Sequence, residues 1–207
     1  MSIVFPRELP EGIEFRHKPL RLVRGVAAAR SGNRVVNHSQ VADPFWVAEL
    51  TTMPLRYPDR MKVEAWYYSL RDGLRKTFYR HPEACYPAAH PGDGGVANND
   101  GNLVSVANGN ELTVDSVDVG LVLGVGDYAG LRNGTKWALG VITEVSGAGT
   151  SRVIAIEPEP PVDVAVSGAV VRFVKPPLVM KPVPDSLSSS ETATGFWAVS
   201  FTLQESR

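Results

Sequence analysis

The stretch FWVAELTTMPLRYPDRMKVEAWYYSLRDG, residues 45–73, decides the class of this fold. Its first part alternates. Trp46, Ala48, Leu50 and Thr52 fall on one face of an extended chain and Phe45, Val47, Glu49 and Thr51 on the other, which is the pattern of a strand buried on at least one side. Its second part changes period. Val63, Trp66, Tyr67 and Leu70 stand at i, i+3, i+4 and i+7, a single apolar stripe that predicts a helix over residues 59–72. Asp59 can cap the free N–H groups of its first turn, and Gly73 supplies the left-handed residue that ends it. Such a helix is about 21 Å long, enough to cover one face of a small sheet and too little to build a bundle.

Working outward, residues 12–53 read as strands and turns, with Ser-Gly-Asn at 31–33 as a hairpin connection. After a short strand near 76–79 comes PEACYPAAHPGDGGVANNDGN, residues 82–102, which has neither periodicity and reads as a linker. From Leu103 the pattern becomes LVSVA, ELTVDSV, LVLGV, KWALGVITEV, RVIAIEP and AVVRFV, short strands parted by turn residues. Residues 103–174 therefore form a small closed or partly open barrel. KPPLVMKPVPDSLSSSETATG, residues 175–195, reads as a second linker. The chain then runs through FWAVSFTLQESR, where Trp197, Val199, Phe201 and Leu203 share one face. Two linkers flanking a barrel imply an insertion. Residues 1–81 and 196–207 make one discontinuous β domain, a sandwich or split barrel with one packed helix, and the last strand pairs within its sheet.

Composition narrows the function. Of 207 residues, 21 are Lys or Arg and 22 are Asp or Glu, and the net charge of -1 offers little attraction to nucleic acid or anionic membrane. Gly (19) and Pro (16) suit a turn-rich β protein. The single cysteine, Cys85, cannot form an internal disulfide, and MSIVFPRELPEG lacks the basic-then-apolar order of a signal peptide, so synthesis in a reducing cytosol is expected. The apolar stretches at 121–131 and 169–180 are broken by Asp127, Arg172 and Lys175, too early to span a bilayer.

No constellation for catalysis, cofactor or metal emerges. His81, Cys85, His90 and Asp93 lie close together, but their spacing matches no common zinc pattern and prolines at 82, 87 and 91 interrupt it. Cys85 lacks the helix N-terminus or basic pocket of a nucleophile. LGVGDYAG (123–130) is followed by a turn and a strand, where a dinucleotide site needs a helix. Glu157 and Glu159, held in EPEPP, read as a solvated edge or contact rim. NNDGN (98–102) lacks the alternating ligands of a calcium loop. The basic runs RLVRG (21–25) and LRDGLRKTFYRH (70–81) are offset by neighbouring acids, and the second suits the negative end of a helix.

The layout brings a resemblance into view. FPRELPEGIEF near the start, WVAELTTMPLRYPDRMKVEAWYYSLRDGLRKTFY (46–79), the LVLGVGDYAGL and KWALGVITEV blocks and the closing FWAVSFTLQES together resemble distal tail and tail-tip hub-type proteins of long-tailed bacteriophages. The resemblance covers most of the chain through diffuse hydrophobic patterns. It implies a strand rich in aromatics before a helix, an inserted oligonucleotide/oligosaccharide-binding (OB)-like barrel, and a final strand that rejoins the first domain. It further implies a structural protein of the virion tail, made in the host cytoplasm. The chain would form a ring, usually of six subunits, joining the tail tube to the tip or receptor-binding apparatus, with no enzyme activity and no cofactor. Its partners would be copies of itself, the tail tube protein and tip or hub proteins, with no nucleic acid and no membrane. The alternative is a carbohydrate-binding module that contacts the host surface through the barrel, whose aromatics are Tyr128, Trp137 and Phe173. A small cell-wall hydrolase, with an acid pair lining a cleft, stands third.

Overall fold

A computed structural model describes residues 4–30, 32, 36–82, 85–93 and 100–206. The chain begins with β1 (Phe15–His17), β2 (Arg21–Arg30), β3 (Val36–Thr52), α1 (Tyr57–Ser69) and β4 (Thr77–Tyr79). Six strands follow: β5 (Gly101–Ala107), β6 (Glu111–Asp115), β7 (Tyr128–Asn133), β8 (Lys136–Ser146), β9 (Arg152–Glu157) and β10 (Val170–Arg172). The chain closes with β11 (Leu178–Pro182), β12 (Ser188–Ala193) and β13 (Phe196–Glu205). The fold is mainly β, one sheet and one closed barrel, with α1 its long helix.

The sheet is built on β3, which is long enough to serve two sets of neighbours. Residues 36–47 pair with β2, residues 50–52 with β1, and residues 47–51 pair along their other edge with β13. β13 runs antiparallel to β3 with Phe201 opposite Leu50 and Leu203 opposite Ala48, so the last strand does return to the N-terminal sheet. Beyond it come β11 and β4, with β12 pairing the first half of β13. The alternation in 45–52 and 196–203 has a tertiary cause: both strands turn their apolar row into one core, which α1 joins through its packing on β13. Val63, Trp66, Tyr67 and Leu70 are all buried, and the Phe201 ring sits 5.6 Å from Trp66 and 5.7 Å from Tyr67. The helix thus supplies the second layer that two facing sheets would supply in a sandwich.

The helix boundaries shift from 59–72 to Tyr57–Ser69. Pro58 fits inside the first turn because that turn has no partner for its missing N–H. Arg56 becomes the N-cap residue without a side-chain cap, and the Asp59 carboxylate instead takes Lys62 at 2.7 Å. At the other end Arg71, Asp72 and Gly73 all adopt left-handed backbone (φ 50, 48 and 95), which stops the helix before Gly73 is reached.

One further boundary needs correction. Residues 175–195 are not a linker, since they contain β11 and β12. β11 lies between β13 and β4, so Leu178, Val179 and Met180 are buried in succession and show no alternation. β12 is an exposed polar edge, Ser-Ser-Ser-Glu-Thr-Ala, whose composition mimics a loop. In the N-terminal hairpin only Gly32 of the 31–33 connection belongs to the described residues, yet Arg30 pairs with Val36 across it.

The barrel closes in the order β10-β5-β6-β9-β8-β7, every pairing antiparallel, and it keeps its own core of Leu103, Leu112, Leu131, Ile142, Ile154 and their neighbours. LVLGV (121–125) is a loop rather than a strand. Leu121 and Leu123 drop into the core while the buried Arg152 guanidinium grips the Leu121 carbonyl at 2.7 Å. The glycines that follow serve a turn: Gly126 takes φ 96, and the Asp127 carboxylate accepts the Gly124 N–H at 2.7 Å.

Candidate interaction surfaces

The residues weighed for metal or nucleophilic chemistry hold the connection between sheet and barrel together. His81 is buried, with Nε2 bonded to the Lys18 carbonyl at 3.0 Å and its ring 6.0 Å from that of His17. Cys85 donates its thiol to the His81 carbonyl at 3.3 Å, and burial pushes that thiol up, away from the thiolate a nucleophile needs. His90 Nε2 accepts the Val122 N–H at 2.9 Å, and Asp127 accepts the Ala88 N–H at 2.8 Å. The returning chain lies alongside, with Lys175 N–H bonded to the Cys85 carbonyl at 2.6 Å. Segment 85–93 is thus bound to the barrel loop rather than free between domains. Among the described residues no group of three or more His, Cys, Asp or Glu is placed to hold a metal ion.

Other candidates are likewise committed. Asp100 of the NNDGN run forms a two-pronged bond to Arg172 at 2.8 and 2.6 Å, which holds that guanidinium's proton more tightly; Asn98 and Asn99 lie outside the described residues. The basic runs are largely spent on local partners: Lys18 on Glu49 (2.5 Å), Arg24 on Glu157 (2.6 Å), Arg80 on Glu8 (2.5 Å), and Arg75 on the Phe5 ring (4.6 Å).

The barrel aromatics do not form a sugar-stacking face. Phe173 is in the barrel core. Tyr128 packs 6.2 Å from Trp46, whose indole Nε1 reaches across the domain boundary to the Leu139 carbonyl at 2.8 Å. Trp137 meets Phe78 edge-on at 5.8 Å and carries Arg132 over its ring. These half-buried rings weld barrel to sheet. A groove of about 340 Å³ on the outer barrel face is lined by Asn108, Glu111, Thr143, Glu144 and Ser146 without any aromatic ring.

Glu157 and Glu159 do share a cleft, of about 370 Å³, with Arg24, Asp43 and Pro160. A glycosidase pair needs one carboxyl sheltered enough to stay protonated. Here Glu159 stands exposed and the Glu157 carboxylate is bonded to the Arg24 guanidinium, so neither carboxyl is enclosed.

The surface that sequence reading missed is the free end of the β2–β3 hairpin. Residues 26–30 and 36–41 are exposed on both faces, with Val26, Val36 and Val41 at 51, 41 and 68%. Its root is tight: a Cβ on Gly25 would come within 2.8 Å of the Ala42 Cβ, and the pairing register shifts there. The signal was present in the run Val-Ala-Ala-Ala-Arg, apolar without alternation, but it is too short to separate from an ordinary edge strand. No protein-family model matches the chain, and no curated protein is significantly similar to it.

Proposed function

We propose that this chain is a structural, non-enzymatic component of a long-tailed bacteriophage tail tip, distal tail protein-like. Copies of it form a ring, of six in the resembled family, that joins the tail tube to the tip or receptor-binding apparatus. Synthesis is in the host cytoplasm and the final location is the virion tail. The observation that carries the reading is the exposed β2–β3 ribbon. A two-stranded ribbon with solvent on both faces is marginal by itself, and the free end of this one, residues 26–30 and 36–41, is exposed throughout. A second copy or a neighbouring tail protein is the natural cover. The discontinuous sheet domain with an inserted barrel supports the same reading through the resemblance that predicted it. The rival saccharide-binding reading loses its main requirement, because Tyr128 and Trp137 are used between the domains.

Sedimentation of the purified chain across a wide concentration range, together with images of intact tails carrying a tagged copy, tests the proposal. A closed oligomer, in solution or as a ring at the distal end of the tube, is the expected result. A chain that stays monomeric and is absent from tails sinks it.

A further inference from the structure

Two surfaces, one beside the middle of β3 and one beyond its C-terminal end, complement each other in shape and charge. The first is a knob where the start of α1 meets the β12–β13 turn. Tyr57 is 59% exposed and Phe196 36%. Tyr57 meets the half-buried Trp197 edge-on, with ring centroids 6.4 Å apart and planes at 71°. The guanidinium groups of Arg56 and Arg60 lie over Phe196 and Trp197, 5.9 and 5.5 Å from the ring centroids. Arg60 also gives its Nε to Glu64 at 2.7 Å, whereas the exposed Arg56 has no ion-pair partner among the described residues.

Tilted rings already faced by guanidinium groups make a poor platform for a sugar or a base. Trp, Tyr and Arg together are instead the residues that concentrate binding energy at protein interfaces. A guanidinium pre-set on an aromatic ring also loses little freedom when a carboxylate arrives.

The second surface is the cleft between the root of the β2–β3 ribbon and the barrel. Its carboxylates, Asp43, Glu157 and Glu159, outnumber its one arginine, Arg24, and Pro160 and the 88% exposed Val162 add apolar contact. Glu159 is exposed and, like Arg56, has no ion-pair partner among the described residues. A concave, proline-walled, acidic cleft suits an arginine–aromatic knob. The knob cannot reach the cleft of its own molecule. β3 between Asp43 and Thr52 is roughly 30 Å long, and the Val199 N–H bonded to Thr52 Oγ1 at 3.0 Å keeps the β12–β13 hairpin at the far end.

We infer that the Arg56–Tyr57–Phe196 knob of one copy seats in the Glu159 cleft of the next, a head-to-tail contact between identical chains. This rests on the ring reading above and names the surfaces that close the ring. Joining two different patches repeatedly produces a ring when the rotation closes and a filament when it does not.

Sedimentation of the full chain from micromolar to millimolar concentration tests it, with R56E, E159K and the double variant R56E/E159K beside the parent protein. Both side chains are exposed, so circular dichroism and melting should match the parent in all three. Each single reversal should weaken self-association at least about tenfold, because like charges then face each other across the contact. The double variant should regain association to within about threefold of the parent, since the opposed charges are exchanged. A one-to-one mixture of the two singles should associate as well.

Singles that associate like the parent would overturn this contact and leave the ring standing. A double variant as weak as the singles would show that the two residues do not face each other, and overturns it too. A parent chain that is monomeric throughout and absent from tails removes both readings together.

Discussion

β3 lives in two environments along one length. From Val47 to Thr51 it has β13 on one side, β2 or β1 at either end of the other, and a core face that α1 helps to close, and Ala48 and Leu50 have 0 and 1% exposure. From Val36 to Asp43 it has β2 alone, and every residue is exposed. The backbone hydrogen bonding is of the same kind in both halves. What differs is the side-chain layer: one half covers a core and stabilises the domain, while the other contributes almost no buried apolar area to it. Pairing makes a strand, but only a covered face makes it stable. The outer half is therefore the surface on which the proposed contact with another chain rests.

That contrast can be broken at its strong end first. Deleting residues 196–207 removes β13 from between β3 and β11, and the sheet domain should lose cooperative unfolding altogether. The barrel, whose core cluster is separate, should stay folded in the truncated chain. Hydrogen exchange resolved along the chain would display both outcomes, and uniform protection equal to the parent's would refute the discontinuous domain.

Next in size is Trp66→Ala. Its indole is 3% exposed, packs on Phe201 and donates to the Glu8 carbonyl at 2.9 Å, so truncation should cost about 3 to 5 kcal/mol in a denaturant titration. A loss below about 1 kcal/mol would place the indole outside the core.

The ribbon should behave in the opposite way. Replacing residues 26–40 by Asn-Gly, which suits a two-residue hairpin turn, should change stability by no more than about 0.5 kcal/mol while abolishing self-association. A large stability loss would mean that the outer half of β3 supports its own domain after all.

The smallest effect concerns the pair that ties β3 to the chain after β1. The Lys18 ammonium, by hydrogen bond and charge, holds the Glu49 carboxyl below its usual 4.5. A lowered folded-state value gives stability that is present above the unfolded value and is lost as pH falls through the folded one. Both partners are largely in water, at 68 and 41% side-chain exposure, so Glu49→Gln should cost under about 0.5 kcal/mol at pH 7 and progressively less as the pH falls below the unfolded value through the lowered folded one. A loss that does not shrink with acidification would assign the effect to packing.

Much of the fold could be read because the informative residues report on their own neighbourhood. The Val63, Trp66, Tyr67, Leu70 stripe and the alternating Trp197, Val199, Phe201, Leu203 row each predict a buried face, although Trp197 itself ends half-covered beside Tyr57 and Arg60. β11 and β12 escaped for opposite reasons. One is buried on both faces and loses its alternation, and the other is an edge of serines that needs none. LVLGV failed because its leucines are buried by a loop pinned on Arg152, a bond between residues 31 apart in sequence. The candidate surfaces were less legible still. Glu157 and Glu159 were read as a rim, but the cleft behind them requires Asp43 from another domain.

The mainly β class and the buried faces of α1 and of the alternating strands were written in the residues themselves, because apolar period and turn chemistry act within a few residues. Which rings join the domains, which carboxylates share a cleft and which end of β3 stands bare came only from the folded chain. Those depend on contacts between segments far apart in the chain, such as Trp46 with Leu139 and Arg24 with Glu157, and local sequence patterns hold no trace of them.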